Sequence, residues 1–195
     1  MDQILLPGFE PAPQPKDRLF FAVLPDAAAC AQIQRLAQGL RAQHQLLGRT
    51  LDAGRLHVSL EGLGDYPAMP HALVARAGQA AATVQLAPFQ VRFDQALSFS
   101  GKARSAGRRA FVLTGDDGVA GLAQLHQALT RAMHGAGLVQ TSASITPHLT
   151  MLYDGASVAA QAVEPVEWTV REFVLVHSLI GANLPYTILQ RWPLA

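Results

Sequence analysis

Apolar positions recur along the chain with two periods, and the alternation between them predicts the elements. Arg18-Leu19-Phe20-Phe21-Ala22-Val23-Leu24-Pro25 is a continuous apolar and aromatic run closed by proline, which predicts a buried strand. Asp26 then stands as an N-cap, and Ile33, Leu36, Leu40 and Leu47 fall near helical spacing, so a helix is expected through about Gln45. Arg55–Leu63 reads as a strand stopped by Gly64-Asp65 and Pro67, followed by a helix over Pro70–Ala82. Phe89–Phe99 places Phe89, Val91 and Phe93 against Gln90, Arg92 and Asp94, with Ala110–Thr114 as its hairpin partner. Leu122, Leu125, Leu129 and Met133 form the apolar stripe of a helix over Gly118–Gly135 and are read as core. Thr146–Tyr153, Val166–Leu179 and Tyr186–Trp192 complete the strands. Helices and hairpins mix without regular βαβ repeats, which predicts an α+β fold with antiparallel sheets and helices packed outside them.

Residues 1–16 hold Pro7, Pro11, Pro13 and Pro15, a density that resists helix and sheet and predicts an extended leader. The fold is expected over 17–195, as one domain or two intimately packed lobes. The segment from Ser100 to Arg109 carries the one basic cluster. It reads either as a solvated hairpin tip or as a mobile loop meeting phosphates beside the reactive one.

Bulk properties narrow the function classes. The net charge is +1 with histidines neutral, so any nucleic acid contact is expected to be local, with a terminal or short nucleotide and no long duplex. The one cysteine, Cys30, lies in an alanine-rich helical stretch and reads as a small apolar residue. No apolar run approaches the roughly 20 residues that cross a bilayer, and no signal peptide pattern opens the chain, so a soluble cytoplasmic protein with no membrane partner is expected.

One short pattern is written twice: His57-Val58-Ser59-Leu60 and His148-Leu149-Thr150-Met151. On a strand, the histidine and the hydroxyl two residues later share a face while the apolar pair points into a core. A histidine meets this template by chance about 2% of the time, so two hits among seven histidines occur in roughly one such chain in a hundred. His44, His71, His126, His134 and His177 do not fit it and read as background. Two imidazoles and two hydroxyls facing one small anion suit phosphate ester chemistry. An imidazole takes or gives a proton near neutral pH. One histidine would activate water while the other protonates the departing ribose oxygen, each contributing about 10²- to 10⁴-fold. Ser59 and Thr150 would donate to the nonbridging oxygens. This scheme needs no metal and no cofactor. His-Glu-x-x-His, Cys-x-x-Cys, phosphate-binding glycine loops and the Gly-x-Ser-x-Gly elbow do not occur.

The two motifs, together with Arg18-Leu19-Phe20-Phe21-Ala22-Val23 and the closing Pro185-Tyr186 to Trp192-Pro193, resemble the 2H phosphoesterase superfamily. The likeness is to its bacterial and archaeal RNA 2′,3′-cyclic phosphodiesterases, the 2′-5′ RNA ligase family. The resemblance implies a bilobal fold of two pseudo-symmetric antiparallel sheets lining a central cleft, with one His-x-Ser/Thr motif per lobe. It implies opening of a 2′,3′-cyclic phosphate, at an RNA 3′ end or in a small nucleotide, to a 2′-phosphate. His57 becomes the general acid, His148 the base, and Ser59 and Thr150 the phosphate clamps. Either Phe20 or Phe21 approaches the base of the nucleotide or packs in the sheet. Where RNA-directed members often carry arginine, this chain has Tyr153, a hydrogen-bond donor to phosphate without charge. Glu61-Gly62 likewise replaces a basic or aromatic pair and makes that rim less suited to RNA. A monomer is expected. The alternatives are a nucleotide-binding module of the same fold with little turnover, and 2′-5′ joining of RNA ends.

Overall fold

The computed structural model describes residues 14, 16–99, 107–139 and 145–195. Most of the proline-rich leader and residues 100–106 of the basic cluster therefore lie outside the described residues. The element order is β1 (Asp17–Val23), α1 (Ala27–Gln43), a 3-10 turn (Ala53–Arg55), β2 (Val58–Tyr66), α2 (His71–Ala81), β3 (Phe89–Ser98), β4 (Arg109–Thr114), a second 3-10 turn (Asp117–Val119), α3 (Ala120–Gly135), β5 (Leu149–Asp154), β6 (Gln161–Val170), β7 (Glu172–Leu179) and β8 (Thr187–Pro193).

The described strands form one eight-stranded sheet in the order β6-β3-β4-β5-β2-β1-β7-β8, and every pairing is antiparallel. The two sheets expected from the sequence are its halves, β6-β3-β4-β5 and β2-β1-β7-β8. A single residue pair, Val58 with Leu149, joins β2 to β5 and so joins the halves. Val166–Leu179, expected as one strand, is interrupted at Arg171: β6 pairs with β3 in one half and β7 with β1 in the other. The residues before Arg171 alternate (Val166, Trp168, Val170) and those after it run continuously apolar (173–176), but no turn residue separates them to mark the change of partner.

The helices form where their apolar stripes can be buried. Asp26 caps α1, accepting from the Ala29 amide at 2.8 Å, and Ala29, Ile33, Ala37 and Leu40 face the core. Leu122, Leu125, Leu129 and Met133 of α3 are fully buried, as their spacing predicts. Each such side chain stabilises the fold by about 1.5 to 3 kcal/mol relative to exposure. The helices also cross between halves. α1 follows β1 but packs against β5 and β6, whereas α3 follows β4 but packs beneath β2 as well as β3. The two halves are thereby interlocked.

All three helices contribute to one large core with Val58, Leu60, Leu149 and Met151. The opposite sheet face carries a small second cluster of Phe20, Ala22, Val174 and Val176. Cys30 is half-buried, its thiol directed to the Pro25 carbonyl at 3.6 Å and its pKa pushed up by burial. No helix among the described residues is long and apolar enough to cross a membrane.

Candidate active site

The alternation of β2 and β5 divides each motif between the two sheet faces. Val58, Leu60, Leu149 and Met151 lie in the helix-side core, which places His57, Ser59, His148 and Thr150 on the other face. The Val58–Leu149 pair fixes their relation. Continuing that register by one residue in each direction sets His57 beside Thr150 and His148 beside Ser59. The two histidines are then diagonal neighbours, about 7 to 8 Å apart at the backbone. A phosphate group fits such a span.

The two imidazoles are anchored identically. His57 Nδ1 donates to the Arg55 carbonyl at 2.8 Å, and His148 Nδ1 donates to the Thr146 carbonyl at 2.8 Å. A carbonyl only accepts, so Nδ1 carries a hydrogen in both rings and Nε2 is the nitrogen that gains and loses the proton. Each anchor is two residues upstream of its histidine, before the strand proper begins. Both histidines are partly exposed, Ser59 is exposed, and Thr150 is buried at 8% exposure.

The surroundings of the two rings differ. Phe20 and Tyr186 pack on His57 with ring centroids at 5.2 and 5.1 Å, and the Arg55 guanidinium stands 5.0 Å over the Tyr186 ring. His148 instead meets Phe99 edge-on at 4.6 Å. Of the two candidate phenylalanines, Phe20 is therefore the one on the histidine face, while Phe21 is fully buried in the helix-side core. Tyr153, on β5, pairs with Ala110 of β4 and, following buried Leu152, shares the face of Thr150. The Arg18 guanidinium forks onto Asp65 at 2.7 and 2.6 Å. That bond raises the arginine pKa above its ordinary value, with small additions from Tyr186 and Tyr153.

Glu61 corrects one expectation. It does not border the histidine face: its carboxylate turns to the helix side and accepts from Thr130 Oγ1 at 2.6 Å. Its carboxylate is therefore engaged on the helix side, away from the histidine face. The cause is a β-bulge. β1 pairs Ala22 with Ser59 but Phe21 with Glu61, so Leu60 is the extra residue and Glu61 takes the opposite face from the one simple alternation from Ser59 assigns.

β5 has the matching bulge. β4 pairs Val112 with Thr150 but Phe111 with Leu152, so Met151 is the extra residue. Both bulges fall at the fourth motif position. The Met151 carbonyl accepts from the Leu51 amide at 2.8 Å, and the Leu60 carbonyl accepts from His126 Nδ1 at 2.9 Å. His126, set aside as background, thus touches the first motif from beneath. Its position beside the apolar stripe of α3 was the available signal, and Thr130 one turn further was its companion.

Asp154 holds the second motif strand from its far end. Its carboxylate accepts from the amides of Ala156 at 2.8 Å and Gly48 at 2.6 Å, and these bonds, Ala156 foremost, hold its pKa below the usual carboxylate range. Gly48 is required there, because a Cβ would stand 2.2 Å from the Tyr153 carbonyl oxygen. Among the described residues no three of His, Cys, Asp and Glu gather as metal ligands.

A pair of half-sheets meeting at two His-x-Ser/Thr strands is the arrangement of a two-histidine phosphoesterase. The model of the 2′-5′ RNA ligase superfamily matches residues 25–180, and the chain belongs to that family. Its fold is similar to that of E. coli LigT solved with 3′-AMP, with a TM-score of 0.69 and 27% identity over 93% of this chain and 99% of that one. A crystal structure described as a phosphoesterase gives 0.68 and 26% with the same coverage. TT0787 of Thermus thermophilus shares the fold at 0.69 and 21% identity, covering 91% of this chain and 97% of its own. No curated protein matches the sequence.

Proposed function

We propose that the protein is a metal-independent phosphodiesterase that opens a 2′,3′-cyclic phosphate, in a small nucleotide or at an RNA 3′ end, to a 2′-phosphate. The observation that carries this reading is the matched anchoring of the two imidazoles: each holds Nδ1 on a carbonyl two residues upstream, on one sheet face, flanking the single pair that joins the halves. E. coli LigT, the 27% identical relative, has been solved with 3′-AMP, and also with NADP+ and with ATP, which supports a nucleotide as the ligand class.

In this reading His148 Nε2 takes a proton from water as its oxygen attacks phosphorus. The bond from phosphorus to the ribose 3′ oxygen breaks, and His57 Nε2 delivers its proton to that oxygen. Charge rises on the nonbridging oxygens during attack, and the hydroxyls of Thr150 and Ser59 stabilise it there. Tyr153, on the same face, adds a neutral donor. The Tyr186 ring beside His57, backed by buried Phe20, offers an apolar surface to the nucleoside.

The test is incubation of the protein with EDTA and either 2′,3′-cyclic mononucleotides or an oligonucleotide ending in a cyclic phosphate. The expected product is the 2′-phosphate. Binding without turnover would favour the nucleotide-binding module, for which uncharged Tyr153 is the motive. A 2′-5′ linked product from RNA ends would favour joining.

A further inference from the structure

Beneath the first motif lies a buried polar cluster that the proposed chemistry does not use. His126 is 5% exposed and Thr130 4%, both on α3, and they meet β2 at its bulge. His126 Nδ1 donates to the Leu60 carbonyl at 2.9 Å, Thr130 Oγ1 donates to Glu61 Oε2 at 2.6 Å, and Glu61 Oε2 stands 4.0 Å from His126 Nδ1. Thr130 Oγ1 is 3.5 Å from the same ring nitrogen. A helix that is otherwise apolar on this face thus places two polar side chains on two consecutive residues of one strand.

Burying these groups costs free energy unless each is paired, so their placement calls for a physical role. The bulge supplies one. On one side of Leu60 the β1 register is Ala22 with Ser59, and on the other it is Phe21 with Glu61. If Leu60 were taken back into a regular ladder, the motif residues would slip by one position, and a slip of one residue sends every side chain to the opposite face. Ser59 would turn toward the core and His57 would lose its direction. The imidazole on the Leu60 carbonyl and the hydroxyl on Glu61 pin both residues of the bulge from below.

We propose that His126, with Thr130 and Glu61, positions the first motif: the cluster locks the Leu60 bulge and thereby holds His57 and Ser59 in their working direction. The inference rests on the phosphodiesterase reading for its kinetic consequence. Because α3 follows β4 of the other half, it also lets one half of the sheet set the geometry of the other's histidine.

The experiment compares wild type with His126→Leu, His126→Asn and Thr130→Val on a 2′,3′-cyclic mononucleotide in EDTA, and follows the His57 ring signal by NMR through a pH titration. In His126→Leu, kcat is expected to fall about tenfold with KM changed less than about twofold, since misplacement of a reacting group acts on the chemical step. His126→Asn, whose amide can still donate to the Leu60 carbonyl, is expected to recover most of the rate. Thr130→Val, which keeps the side chain's shape, should lower kcat in the same direction by less. If His126→Leu does not fold, Thr130→Val decides the kinetic arm. Unchanged kcat in a folded variant overturns the proposal, as does an equal loss in His126→Leu and His126→Asn. Should the wild type show no turnover, the functional reading fails but this one is still read: a His57 signal and titration displaced in His126→Leu and restored in His126→Asn support it, and a His57 titration identical across the set overturns it.

Discussion

The two halves of the sheet carry the same motif and support it by different means. In the β5 half, the bulge after Thr150 is held by a backbone bond, from the Leu51 amide to the Met151 carbonyl, and the strand end by one side chain, the Asp154 carboxylate on the Gly48 amide. In the β2 half, the corresponding bulge is held by side chains of α3, and the outer end of β2 by a surface pair, Arg18 with Asp65. At the Met151 bulge the support survives any change of side chain, whereas at the Leu60 bulge it can be removed one residue at a time. The hydroxyls follow the same division, with Thr150 buried and Ser59 exposed. On the proposed reading the two halves share a chemistry in unequal surroundings; what they have in common is a histidine held by Nδ1.

The comparison is broken most severely at the histidines. His57→Ala and His148→Ala are each expected to lower kcat by about 10²- to 10⁴-fold, with thermal unfolding close to wild type because both rings lie outside the helix-side core. A loss confined to one of them, measured by steady-state turnover, would mean that only one half reacts. The pH–rate profile of the wild type should be bell-shaped, one limb for each histidine.

Next come the hydroxyls. Thr150→Val is expected to cost about 10²-fold in kcat, at the lower end for one lost transition-state donor. Ser59→Ala should cost less, because an exposed hydroxyl is not held in one direction by its neighbours. Equal effects in parallel assays would show that burial does not distinguish the two clamps.

The carboxylates sharpen the contrast through stability. The folded-state pKa of Asp154 lies below its unfolded value, so its contribution is fully present above the unfolded pKa and is lost as pH falls through the folded one. Asp154→Asn should therefore cost about 1 to 3 kcal/mol near neutral pH and flatten the acid limb of a urea-unfolding series run against pH. Asp65→Asn, at a surface pair, should cost about 1 kcal/mol or less. Smallest of all, Tyr153→Phe is expected to raise KM a few-fold, the worth of one neutral hydrogen bond.

Much of this was legible along the chain. The stripe of α3, Ile33 and Leu40 of α1, and the strand run at Phe20 and Phe21 follow from period and turn residues, because burial of one face imposes that period on the sequence; Leu47, expected on the α1 stripe, lies beyond the helix and is exposed. What escaped depends on partners. Arg171 reads like any strand residue, yet it marks the change from β3 to β1 as neighbour. Glu61 looks like a rim residue until the Leu60 bulge reverses its face. His126 gains a role only because that bulge leaves a carbonyl for its ring, and nothing in its own neighbourhood of the sequence announces a carbonyl from β2.

The most direct test of convergence is to follow the ring nitrogens of His57 and His148 by NMR in protein labelled with nitrogen-15 at histidine, while a nucleoside 2′-phosphate is added in EDTA. If both halves address one phosphorus atom, the two Nε2 signals move together along one saturation curve with a single Kd. Movement of one signal alone, or two curves with separate midpoints, would contradict a shared site.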